Sequence, residues 1–188
     1  MRKFGMISAL IITCALVALA VAPAANFAGT WALDKAKSQG LSPRMQGADS
    51  VTWTITQDDK TISIDQKVTG GQPPAGGGPG GGGGGGGGGM GGGRGPAGPT
   101  SYNLDGKEVT TEITGGQATG KSSLKAAWAD SALELSRKTT FNTPDGERVS
   151  STTQKLSLSG DGKVLTAVVH SEGGRGGPTD STLVFNKQ

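Results

Sequence analysis

The chain holds a single cysteine, a single histidine and few aromatic side chains, and each scarcity removes a class of chemistry. Cys14 lies inside an N-terminal apolar run. The rest of the chain therefore has no thiol, which excludes disulfide bracing, thiolate catalysis and a closed cysteine-bearing zinc site. With His170 alone there is no histidine cluster for a metal, and a solitary strand histidine is more often structural or exposed than catalytic. No G-x-S-x-G elbow presents a serine nucleophile. The glycine-rich stretch lacks the G-K-[ST] ending of a phosphate loop, and Gly120-Lys121-Ser122 opens an alternating strand rather than a helix. Asp65, Glu112 and Glu134 occupy the polar phase of their strands and read as solvated carboxylates, not a catalytic pair. The expectation is a protein without catalysis, metal or cofactor.

Long apolar runs are also missing, with one exception. Arg2 and Lys3 precede an apolar and small-residue run over 4–22, followed by Pro23 between small residues. That order of cations, apolar segment and small-residue cleavage site is a signal peptide, assigned to residues 1–25 with a mature start at Ala25 or Asn26. Cys14 follows Thr13 within the run and is not placed for lipidation. The mature domain, residues 26–188, is expected in the periplasm or outside the cell, with no membrane span after cleavage. Arg2 and Lys3 leave with the signal, so the mature domain carries 16 basic against 15 acidic side chains. Electrostatics therefore gives no case for a nucleic-acid partner.

What the mature domain does have is period-two alternation broken by turn dipeptides, with no apolar stripe at helical spacing. Val51, Trp53 and Ile55 alternate with threonines, Asp58-Asp59 turns the chain, and Ile62, Ile64, Gln66 and Val68 alternate with polar residues. This is a hairpin. Asp105-Gly106, Asp130-Ser131 and Asp161-Gly162 repeat the device. A strand over 147–158 slips phase near Lys155, which predicts a bulge. With a first strand over 27–34 and the last two over 163–171 and 179–185, the reading is an all-β antiparallel meander of eight to ten strands, closing into a barrel or strongly curled sheet.

In such a meander successive connections fall at opposite ends. The four tight aspartate turns then share one end, and the long or glycine-rich connections at 35–49, 70–99, 115–118, 143–146 and 172–178 share the other. Function concentrates on loops held by a rigid frame, so the elaborated end is the candidate mouth. The tract over 70–99 cannot fold alone, because glycine runs lose much backbone freedom on ordering and bury nothing; it is expected to be a disordered loop between strands. It carries Arg94, and Arg175 lies in a smaller glycine-rich loop on the same rim.

The inward phase supplies the binding candidates: Trp53, Tyr102, Trp128 and Phe141, each of which serves a sheet more often as core than as ligand contact. Arg137 shares the phase of Leu133 and Leu135 and so points inward, where a cation wants a carboxylate from the protein or from a ligand. Two functions are consistent with these residues. One is binding a small, partly apolar or amphipathic ligand in or over the barrel; the other is a structural or interaction role with a cell-envelope component through the glycine-rich loops.

Gly29, Thr30 and Trp31, opening the first strand, resemble the G-x-W motif of lipocalins. The pattern from FAGTW at 27–31 through the D-G-K turns to Leu183-Val184-Phe185 is similar to small exported lipocalin-like proteins of bacteria. The resemblance implies a calycin-type barrel with Trp31 plugging its closed end and the loop after the first strand lying over the mouth.

Overall fold

The computed structural model describes residues 25–70, 98–115, 118–143, 146–173 and 177–188. The expected signal peptide, the glycine-rich tract with Arg94, and Arg175 lie outside the described residues.

Ten strands and one short helix follow the chain: β1 Gly29–Leu33, α1 Pro43–Gly47, β2 Ser50–Gln57, β3 Thr61–Thr69, β4 Thr100–Asn103, β5 Val109–Gly115, β6 Ala118–Ala129, β7 Ala132–Thr143, β8 Gly146–Leu158, β9 Val164–Glu172 and β10 Thr179–Lys187. They form one antiparallel sheet in the order β4-β3-β2-β1-β10-β9-β8-β7-β6-β5, a nearly closed barrel. The first and last strands close it, through Trp31 opposite Lys187, Ala32 opposite Asn186 and Leu33 opposite Phe185. The remaining seam falls between β4 and β5, which share a turn but no ladder.

Up-and-down connectivity places the turns at 58–60, 104–108, 130–131 and 159–163 at one end and the connections at 34–49, 70–99, 116–117, 144–145 and 173–178 at the other. At the economical end three turns repeat an Asp-x-Lys device, an aspartate accepting from the backbone two residues on. Asp58 accepts from the Lys60 and Thr61 amides at 2.8 and 2.7 Å, Asp105 from Lys107 at 3.0 Å, and Asp161 from Lys163 at 3.1 Å. These bonds favour the charged carboxylate and lower the pKa of Asp58 and Asp105; at Asp161 the Ser159 hydroxyl at 2.6 Å is the larger cause.

Above these turns sits the core. Phe27, Trp31, Ile55, Ile62, Leu133, Leu135, Leu156, Leu165, Leu183 and Phe185 are fully buried or nearly so, each worth roughly 1.5–3 kcal/mol in apolar transfer. Trp31 seals the floor: its indole N–H donates to the Phe27 carbonyl at 2.9 Å, and the Lys187 ammonium stands 5.2 Å from its ring centroid. Trp53 packs on Phe185 with ring centroids 4.4 Å apart.

The connection after β1 covers part of the opposite end. Ser42 caps α1 by accepting from the Met45 amide at 3.4 Å, with Pro43 at the first helical position. Met45 and Ala48 are thereby turned into the core. Lys35 donates to the Gln46 and Ala48 carbonyls, holding the helix's C-terminal end. A single bridge between Gln39 and Thr182 ties the loop to β10.

The expected bulge near Lys155 is absent: β8 pairs with β7 from Leu156 to Gly146 and with β9 from Leu158 to Ser151 without a slip. The phase break in the sequence comes from Val149, which faces outward and is 40% exposed. Arg148, Ser150, Thr152, Gln154, Leu156 and Leu158 form one continuous inward row, and its lower members alone are apolar.

Candidate functional site: a cation inside the barrel

The inward rows change character with height. On β7 they read Leu133, Leu135, Arg137, Thr139; on β6 from the same end, Trp128, Ala126, Leu124, Ser122. On these strands the floor half is apolar and the half toward the mouth carries hydroxyls, Ser122 and Thr139 among them, both buried, while Val51 on β2, Val169 on β9, and Met45 and Ala48 after β1 keep the rest of the upper interior apolar. Where the two halves meet lies a cavity of about 60 Å³. Trp53, Ile64 and Gln66 wall it on one side, Thr100 and Tyr102 on the seam side, and Arg137, Thr152 and Gln154 across the barrel.

Each wall is set by a local rule of the sheet. Gln66 lies opposite Trp53 on the adjacent strand and accepts from its indole N–H at 3.1 Å, so the ring's polar edge is satisfied inside the barrel. Tyr102 pairs with Ile62 and is buried. Burial pushes its phenol pKa up by desolvating the phenolate, and the nearby Arg137 charge opposes part of that rise. Thr152, opposite Arg137 on β8, shares a 3.2 Å hydroxyl contact with Ser171.

Arg137 itself is half-buried. Among the described residues no carboxylate pairs with it and no hydrogen bond engages its guanidinium. A guanidinium offers five donors in a planar fork suited to a carboxylate. The cavity supplies a cation, a phenol, two carboxamides and the hydroxyls of Thr100 and Thr152.

Trp53, Tyr102 and Arg137 thus meet at one place. Trp128 and Phe141 do not join them. Trp128 is at the floor, stacked on Phe27 with centroids 6.1 Å apart. Phe141 stands toward the mouth opposite Gly120, where a Cβ would fall 2.9 Å from its Cδ1 and 2.2 Å from the Thr140 carbonyl. Gly29 and Trp31 lie toward the floor, on β1. Gln66, Thr100, Thr152 and Gln154 are cavity residues not singled out from the sequence. Gln66 and Gln154 were accessible by counting inward phase, but Val149 masked the phase of β8, and Thr100 precedes the alternation that marks β4.

His170 lies elsewhere, exposed on the outer face of β9, with Nδ1 2.6 Å from Asp180 and Nε2 3.1 Å from Glu172. Bonding to Asp180 first, then Glu172, raises its pKa. An outer groove of about 440 Å³ runs over β5 to β8, with Glu112, Lys121, Asn142 and Glu147 in its walls. Among the described residues no group of three or more His, Cys, Asp or Glu is arranged to hold a metal ion. Nor is any helix there long and apolar enough to cross a membrane.

The fold and site define a nearly closed antiparallel β-barrel with an apolar floor, hydroxyls along the upper β6–β8 wall, and Arg137 in the cavity wall with no charged partner among the described residues. No protein-family model, curated protein or solved structure matches the chain.

Proposed function

We propose that this chain is an exported, lipocalin-like, non-catalytic binding protein whose ligand presents an anionic group to Arg137. The observation that carries this reading is the guanidinium at the cavity wall beside buried Tyr102, with no carboxylate paired to it among the described residues. An unpaired, partly desolvated cation is costly, and an anion from solution would supply the missing charge-assisted hydrogen bonds. Trp53, Ile64 and the Tyr102 ring give the same space an apolar side. A volume of about 60 Å³ is far below the several hundred Å³ of an enclosing ligand pocket. Only a head group enters, and the rest of the ligand lies toward the mouth.

The test is a titration of the mature protein with octanoate and with octanol, following Trp fluorescence and the amide resonances of Trp53 and Arg137. Octanoate should perturb these positions at concentrations where octanol does not, and Arg137→Gln should erase the difference. Equal responses to the two, or none, would remove the anion reading. The filled floor favours a second reading, a solid barrel that contacts an envelope component through its mouth loops, and silence in this titration would support it.

A further inference from the structure

Above Arg137 the inner wall carries polar groups that the fold does not use. Register sets Thr111, Ser122, Thr139 and Ser150 side by side on β5 to β8, one inward position nearer the mouth than Arg137. Ser122 and Thr139, at the centre of this row, are only 4% and 8% exposed. Among the described residues neither hydroxyl makes a hydrogen bond; Thr111 donates to the Ser122 carbonyl, at 3.5 Å, and not to its side chain. A buried hydroxyl without a partner is a cost to the fold. No side-chain oxygen or nitrogen there is both fully enclosed and unpartnered, so both hydroxyls touch accessible space inside the barrel. At the ends of the row Thr111 and Ser150 face inward and are nonetheless exposed.

The next inward position toward the mouth sets Gly120 opposite Phe141. Gly120 brings no side chain, and the half-buried Phe141 ring stands over the hydroxyls. Guanidinium, hydroxyls and ring thus follow one another at successive inward positions, about 7 Å apart along the strand. We propose that the ligand is a hexuronate, a sugar acid whose carboxylate meets Arg137, whose ring hydroxyls bond to Ser122 and Thr139, and whose apolar C–H face turns toward Phe141. The proposal rests on the anion reading above and names the body of the ligand. A hydrocarbon tail on this wall would leave both buried hydroxyls unpaired. Sugar hydroxyls donate and accept, and so satisfy them.

The experiment titrates the mature chain with glucuronate, glucose and octanoate, following the amide resonances of Ser122, Arg137 and Thr139. Glucuronate should move all three and bind at least tenfold more tightly than either other probe. Arg137→Gln should abolish its advantage over glucose. The double variant Ser122→Ala, Thr139→Val should weaken glucuronate at least fivefold and leave octanoate unchanged. It should also melt no lower than the parent, because the hydroxyls it lacks have no partner in the ligand-free protein. If octanoate binds through Arg137 and glucuronate binds no more tightly, the anion site stands and the sugar acid is wrong. If all three probes are silent, both readings fall. Equal binding of glucose and glucuronate, or a glucuronate affinity that the double variant leaves unchanged, also overturns the proposal. So does a large fall in that variant's melting temperature, which would assign the two hydroxyls to the fold.

Discussion

The Lys187 ammonium lies 5.2 Å from the centre of the Trp31 ring, and the two residues face each other in the ladder that joins the last strand to the first. That ladder has three register pairs, so barrel closure leans on what the side chains add. Trp31→Ala removes a fully buried indole and leaves the Phe27 carbonyl without its donor. The expected loss is about 3–5 kcal/mol. Lys187→Ala removes only an exposed cation over that ring, about 0.5–1 kcal/mol. Urea denaturation of both variants checks the ranking. Equal losses would mean that the lysine supports closure by some route other than its contact with the ring.

Arg137 should separate stability from binding. Replacing it with methionine exchanges an unpaired cation for an apolar side chain of similar reach, and relieves a desolvation cost. Stability should stay within about 1 kcal/mol of the parent or rise, while stabilisation by an anionic ligand disappears. Thermal denaturation with and without octanoate measures both. A large destabilisation in the ligand-free protein would show that the guanidinium serves the fold.

The fold was largely legible because alternation, aspartate turns and chain reversal all pointed to one meander. Three features were hidden for separate physical reasons. α1 is five residues long, too short for a helical stripe, and only Ser42-Pro43 signalled it. The continuity of β8 was hidden by Val149, an apolar residue on the solvent face. The site was partly visible: Arg137 could be phased from Leu133 and Leu135, and Gln66 from Ile64. The distribution of the aromatics among floor, cavity and mouth could not be read, because alternation assigns a face and not a height. Height depends on register between strands, which turn length sets.

His170 bridges β9 and β10 at the mouth, between Asp180 and Glu172, and both contacts are best made when both ring nitrogens donate. Its pKa is raised in the folded state, so its contribution is fully present below the unfolded value near 6.5. That contribution is lost as pH rises through the higher folded value. NMR titration of the imidazole should give a midpoint above 6.5, and the protection of the Ser171 and Asp180 amides, taken relative to the intrinsic exchange rate at each pH, should fall as pH rises through that midpoint. His170→Gln should flatten the pH dependence of that protection without altering the barrel. The charged groups near the ring limit the effect: Asp180 and Glu172 are largely exposed and screened.

Acid should open the opposite end first at its turns. Asp58, Asp105 and Asp161 each hold a backbone amide across a floor turn, and all three pKa values are lowered in the folded protein, at Asp58 and Asp105 chiefly by these bonds and at Asp161 chiefly by the Ser159 hydroxyl and then by the Lys163 amide. A depressed carboxylate stabilises the fold above its unfolded pKa near 3.9, and that contribution vanishes as pH falls through the lower folded value. Protection of the Lys60, Lys107 and Lys163 amides, taken relative to the intrinsic exchange rate at each pH, should therefore fall below pH about 4, while the apolar floor persists. Asn at each position keeps an acceptor oxygen but not the charge. Asp161→Asn should consequently retain the turn at neutral pH with little acid sensitivity, whereas Asp161→Ala should lose the turn at both. Acid sensitivity that survives in the triple Asn variant would place it in another carboxylate, and Asp34, whose pKa is lowered chiefly by Asn186, would be the next to replace.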